Sequence, residues 1–146
     1  DDMPGKSVDE MTIGESAQFS KTISECDVYQ FAGVTGDFNP AHIDEVYAAG
    51  TFFETRIAHG MLSAGLISAV IGNQLPGNGA IYMKQELNFK APVRIGDTIT
   101  ARVEVTEIDT DRNRVSLSTT CSNQSGNLVL DGFALVSPVK KSTNFG

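Results

Sequence analysis

The stretch GMLSAGLISAVIGNQLPG, residues 60–77, decides the fold. From Met61 to Ile71 its side chains are apolar or small around nearly the whole circumference, and none is charged. A helix with that distribution has no face to give to water and is expected to be covered on all sides. At about 1.5 Å per residue, its roughly fifteen residues run about 22 Å, the width of a small sheet. Pro76 and Gly77 end it.

Downstream of that helix the apolar period drops to two. Ile99, Ala101, Val103 and Val105 alternate with Thr100, Arg102, Glu104 and Thr106, and Val115, Leu117, Thr119 and Cys121 repeat the pattern after a polar turn at 109–113. Both read as half-buried antiparallel strands. Residues 81–91, between Gly79 and Pro92, and residues 128–136, after Gly126, supply two more. Upstream, residues 16–23 alternate weakly and read as a first strand. Ser24 then offers an N-cap, with Glu25 and Asp27 in the first turn of a helix that places Val28, Phe31, Ala32 and Thr35 on one face and stops at Gly36. Residues 37–58 are rich in Asp, Asn, Pro and Gly, and hold at most a short helix over 44–49. One long buried helix followed by four meandering strands implies an α+β fold in which a curved antiparallel sheet wraps a central helix, the architecture called the hot-dog fold. No internal repeat breaks the chain, so one domain is expected over 1–146, with a core of about 8–137 between short flexible tails.

Composition agrees with a single core. The chain has 146 residues, 40% hydrophobic and 20% charged, enough to bury roughly 70% of its unfolded surface without a metal or a disulfide. Cys26 and Cys121 are far apart, form no CxxC pair and read as free thiols of a reducing compartment. The formal charge of -7, with Lys and Arg scattered, argues against nucleic acid as a partner. It does not exclude a phosphate-bearing small molecule held by a few local cations. The N-terminal DDMPGKSVDE has no apolar centre, the C-terminal NFG is no peroxisomal address, and no apolar run approaches the ~20 residues of a membrane span. No signal peptide, no membrane association and a cytoplasmic location are the expectations.

Both histidines, His42 and His59, fall in the polar segment between the two helices. In GDFNPAH, residues 36–42, Asp37 lies five residues before His42 across the turn-forming pair Asn39 and Pro40. A carboxylate and an imidazole converging on one water form a general acid/base pair; the same spacing also suits a capping Asp and a polar loop His. Gly60, at the start of the buried helix, could expose free backbone N–H groups to a developing oxyanion, or merely let the helix pack closely.

GDFNPAHID closely resembles the hydratase motif of the MaoC-like (R)-specific enoyl-CoA hydratases, and the resemblance continues through RIAHGMLSAGLIS, the LPG turn and IYMKQELNFKAPVRIGD, covering residues 15–136. It implies an enzyme that reversibly adds water to trans-2-enoyl-CoA to give (R)-3-hydroxyacyl-CoA. Carried over residue by residue, it implies that Asp37 and His42 are catalytic, that Asn39 positions water or substrate, and that the Gly60 N–H meets the thioester oxygen. It further implies that Ser68 lines an acyl pocket; the bulky aliphatic residues of the helix near Ser68 and Ile71 would shorten such a pocket, so short chains are the expected substrates. His59 reads as a structural histidine, and Ala41 stands where the motif favours a larger aliphatic residue. No metal and no organic or redox cofactor is implied, because coenzyme A enters as part of the substrate; Lys84, Lys90 and Arg94 are candidates for its phosphates. The expected assembly is a homodimer or a dimer-based higher oligomer, since a single sheet has two open edges and residues 128–136 are apolar on both faces. The competing readings on the same fold are an acyl-CoA thioesterase and a non-catalytic module binding acyl-CoA or acyl-carrier protein.

Overall fold

A computed structural model describes residues 3–141. Its regular elements are β1 (Ser16–Thr22), α1 (Glu25–Thr35), α2 (Pro40–Ile43), α3 (Glu45–Ala49), α4 (Gly60–Asn73), β2 (Ile81–Phe89), β3 (Thr98–Asp109), β4 (Arg114–Ser122) and β5 (Leu128–Ser137), preceded by a 3-10 turn at Val8–Glu10. The strands form one antiparallel sheet in the order β1-β3-β4-β5-β2. This is the hot-dog architecture, with the sheet curved around α4.

The period-two pattern does the wrapping. Val103 pairs with Thr119 and Val105 with Leu117, and on the next strand Leu117 pairs with Ala134. These residues are fully or almost fully buried, and all but Thr119 form one cluster with Leu62, Leu66, Ile67, Val70 and Ile71 of α4. Each large aliphatic side chain so buried stabilises the fold by about 1.5–3 kcal/mol against leaving it in water. α4 is not covered on every side, however. Met61, Gly65, Ser68 and Gly72 form an open stripe, because the sheet curves around only part of the helix.

Residues 128–136, apolar on both faces, were expected to be buried on both sides; β5 is an inner strand between β4 and β2, but Leu128 and Phe133 stay exposed. The open edges belong to β1 and β2. Residues 3–7, expected as tail, are docked instead. The Gly5 N–H donates to the Asn78 carbonyl at 2.9 Å and the Lys6 N–H to that of Pro76 at 2.8 Å. Pro138 is also buried, and Lys141 pairs with Glu10. The remaining tail residues, 1–2 and 142–146, lie outside the described part. No described helix is long and apolar enough to cross a membrane.

Candidate active site

α1 starts as its sequence dictates. The Ser24 hydroxyl accepts from the Asp27 N–H at 3.0 Å, and the Asp27 carboxylate accepts from the Ser24 N–H at 2.9 Å, a reciprocal cap. At the other end Gly36 adopts φ 81°, a left-handed conformation that a side chain would strain, and its N–H closes on the Ala32 carbonyl. Thr35 Oγ1 accepts from the Asp37 N–H at 3.2 Å, which aims the chain out of the helix at Asp37.

From there each polar side chain fixes the backbone two residues on. Asp37 Oδ1 accepts from the Asn39 N–H at 3.2 Å, and Asn39 Oδ1 from the Ala41 N–H at 3.0 Å. Asn39 and Pro40 therefore start a helix rather than a chain reversal: Asn39 caps α2, with Pro40 in its first turn and His42 in its last. The His42 ring is then locked by Nδ1, which donates to the Ile57 carbonyl at 2.7 Å. A carbonyl can only accept, so the proton sits on Nδ1 and the Nε2 lone pair is left for chemistry.

Arg56 anchors this segment. Its guanidinium meets Glu25 at 2.8 Å, Glu45 at 3.0 Å and the Tyr29 hydroxyl at 2.9 Å, joining α1, α3 and the approach to α4. The Arg56 hydrogen bond holds the Glu25 carboxyl below the usual range, and the Thr55 hydroxyl followed by Arg56 does the same for Glu45.

Asp37, His42, His59 and Gly60 line one cavity of about 310 Å³, with Phe31 and Met61 among its walls. One ligand-type atom from each of Asp37, His42 and His59 lies within 4.8 Å of the others. The trio could be taken for a metal centre. The two imidazoles, however, are stacked with centroids 3.9 Å apart and planes tilted by 30°. A ligated ion lies in the plane of each ring at about 2.0–2.1 Å from its nitrogen, and planes so nearly parallel meet too far away for one ion to serve both. The arrangement suits proton transfer better.

Gly60 opens α4. No side chain caps that end, and Gly60 and Met61, at the positive end of the helix, line the cavity. A Cβ at Gly60 would stand 2.6 Å from Cε1 and 2.8 Å from Cδ1 of Phe89, so the backbone is bare because an aromatic ring lies on it. Across Gly60 and Met61 begins a second cavity of about 480 Å³, mostly apolar, walled by Phe53, Ile57, Ser63, Phe89, Val129 and Leu130.

Asp37, His42 and Gly60 thus share one cavity. Asn39 is next to them in the chain, with its side-chain oxygen engaged as a helix cap. Ser68 and Ile71 do not join them. Ser68 is exposed, Ile71 is in the hydrophobic core, and neither lines either cavity. The helical rise explains this, since Ser68 stands about 12 Å along α4 from Gly60. The α4 residues that line the apolar cavity are Gly60, Met61 and, one turn on, Ser63. Of the candidate cations, Lys90 lines that cavity, Arg94 donates to the Phe53 carbonyl at 3.2 Å, and Lys84 pairs with Glu86 over the Phe133 ring. Cys121 is no nucleophile, because burial pushes its thiol up to about 12. The residues that sequence reading missed, Phe89 and Ser63, carry no motif; only cross-sheet packing and helical phase bring them here.

The fold and the site define a hot-dog protein with a carboxylate and two imidazoles beside a helix N-terminus and an apolar cavity. The chain belongs to the family of the MaoC like domain, whose family model matches residues 9–126. It is 58% identical over 123 residues to an (R)-specific enoyl-CoA hydratase of Rhodospirillum rubrum, covering 84% of this chain and 85% of that protein. It is 52% identical over 133 residues to a 3-hydroxybutyryl-CoA dehydratase of Methylorubrum extorquens, covering 91% and 84%. Among solved structures, the unliganded R-hydratase PhaJ1 of Pseudomonas aeruginosa superposes with a TM-score of 0.89 at 44% identity, covering 94% of this chain and 88% of that one.

Proposed function

We propose that this protein is an (R)-specific enoyl-CoA hydratase acting on short trans-2-enoyl-CoA, reversibly, to give (R)-3-hydroxyacyl-CoA. The observation that carries the reading is the shared cavity: Asp37, His42 and the start of α4 at Gly60 meet in one place, and an apolar cavity continues from Gly60 and Met61. The relatives named above support the same chemistry.

In this reading the Gly60 N–H polarises the thioester carbonyl, which makes Cβ electrophilic and stabilises the enolate-like oxygen. Asp37 and His42 hold the water between them. The pair removes one proton as the oxygen bonds to Cβ and delivers a proton to Cα, so the elements of water add across the double bond. Asn39 keeps Asp37 and His42 in register by capping α2. The acyl chain lies in the apolar cavity beside Met61, Ser63 and Phe89, and in this reading Lys90, at the wall of that cavity, and Arg94 meet the coenzyme A phosphates. Coenzyme A is part of the substrate, and the reaction so written needs no metal or redox group.

The working unit in this reading is a homodimer joined through β2. That strand is an edge, and Ile81, Met83 and Phe89 on it are 64%, 47% and 56% exposed, a poor surface to leave to water.

The test is to incubate the protein with crotonyl-CoA while following both the enoyl-thioester absorbance and free thiol. Loss of absorbance without thiol is the expected result. Thiol release without a hydroxyacyl product would replace the reading with a thioesterase, and no turnover would replace it with a binding module.

A further inference from the structure

We propose that His59 is a positioning residue that holds the Asp37 and His42 pair in register with Gly60; the inference rests on the hydratase reading of that pair. The three parts of the site come from three segments: the loop after α1, the end of α2 and the start of α4. His59 touches all of them. Its Nε2–H donates to the main-chain carbonyl of Asp37 at 3.0 Å. One face of its ring stacks on His42 at 3.9 Å, and the ring packs against Phe31 of α1 at 4.7 Å. It is the residue immediately before Gly60 and the N-cap of α4.

A merely structural histidine does not explain this arrangement. His59 is 2% exposed and its Nδ1 is buried with no hydrogen-bond partner among the described residues, a condition that costs stability. A phenyl ring would stack on His42 and Phe31 in the same slot without an orphaned nitrogen. What the imidazole adds is the Nε2–H bond to Asp37, so the site keeps a destabilising ring for the sake of that tether. Asp37 and His42 are otherwise linked through their own short stretch of chain, the bonds of Ala41 and His42 to Ile57, and the more distant Arg56 anchor. Misplacing one reacting group by about 1 Å can cost on the order of 10²-fold in rate.

The test compares His59→Phe with His59→Gln in the wild-type and His42→Ala backgrounds, with crotonyl-CoA as substrate and at enzyme concentrations high enough to read residual rates. His59→Phe is expected to melt no lower than the wild type, to lose about 10- to 100-fold in kcat, and to keep KM within about threefold. His59→Gln retains an amide N–H that can reach the Asp37 carbonyl and is expected to recover at least about fivefold of the loss. In the His42→Ala background His59→Phe should cost less than about twofold, because a residue that acts through the pair has nothing left to position. An unchanged kcat in His59→Phe overturns the proposal. So does an equal loss in both backgrounds, which marks a general structural role. Should His59→Phe fail to fold, His59→Asn is carried through the same two backgrounds, and the same equality of losses is decisive. Inactivity of the wild type itself would instead remove the hydratase reading, before any variant is made.

Discussion

Replacing Asp37 with Asn and His42 with Ala tests whether the two side chains act as one device. Asn at 37 keeps an oxygen for the Asn39 N–H now 3.2 Å away, so the turn survives and only the proton chemistry is removed. Ala at 42 deletes the 2.7 Å bond from Nδ1 to the Ile57 carbonyl. One such bond is worth about 1 kcal/mol, and for a chain of 146 residues that lowers Tm by about 3 °C. Against that small structural effect, loss of a general acid or base group costs about 10²- to 10⁴-fold in kcat, or about 2.7–5.5 kcal/mol of barrier. If the groups worked independently, the double variant would multiply the losses to about 10⁴- to 10⁸-fold. Because both line one cavity and, in the proposed reading, act on one water, the double variant should fall within about tenfold of the worse single variant. Rates of crotonyl-CoA hydration, measured beside circular dichroism melts, decide it. Multiplied losses would refute the shared-water arrangement, and activity that falls in step with melting would refute a chemical role for either residue.

Other parts of the structure are open to equally direct checks. Arg56→Met should weaken the clamp over the site and remove a pH dependence. Glu25 and Glu45 have carboxyls held below the ordinary 4.5, so their contribution to stability is fully present above that pH and is lost as pH falls through the lowered values. Wild-type and variant melting temperatures should therefore differ near neutrality and converge in acid, whereas a constant gap would contradict the assignment. Ile67→Ala removes a fully buried side chain from α4 and should cost about 3 kcal/mol, or about 10 °C in Tm; a fall of under about 3 °C would mean the helix is not the centre of the core. Ile81→Lys with Met83→Lys should split the proposed dimer. Light scattering during size-exclusion chromatography should then read 15.6 kDa instead of twice that, 31.2 kDa, and an unchanged dimer mass would place the interface elsewhere.

Local physics was legible in the chain wherever one element decides its own form. The cap at Ser24, the stop at Gly36 and the alternation in β3 and β4 follow from residues adjacent in sequence, and the structure has all of them. The polar segment carrying Asp37 and His42 was legible only in part: the short helix at Glu45–Ala49 was expected, but the one that Asn39 and Pro40 start, α2, was read as a turn. What depends on the third dimension was not legible. The period of α4 indicated burial but not which stripe would stay open; the resemblance put Ser68 with Ile71 near an acyl pocket, whereas the apolar cavity begins at Gly60 and Met61 and meets Ser63. Phe89 lies on Gly60 because β2 ends there, a fact of strand register. His59 was read as a satisfied polar residue, and only its orphaned Nδ1 and its bond to Asp37 distinguish it.

The most direct test of the central claim is chiral analysis of the product formed from crotonyl-CoA in water. Asp37, His42 and Gly60 line a single cavity, so water should reach Cβ from one side only, in the sense shared with the (R)-specific relatives. The result predicted is (R)-3-hydroxybutyryl-CoA with no free coenzyme A. An (S) or racemic product, or release of coenzyme A without hydration, would contradict it.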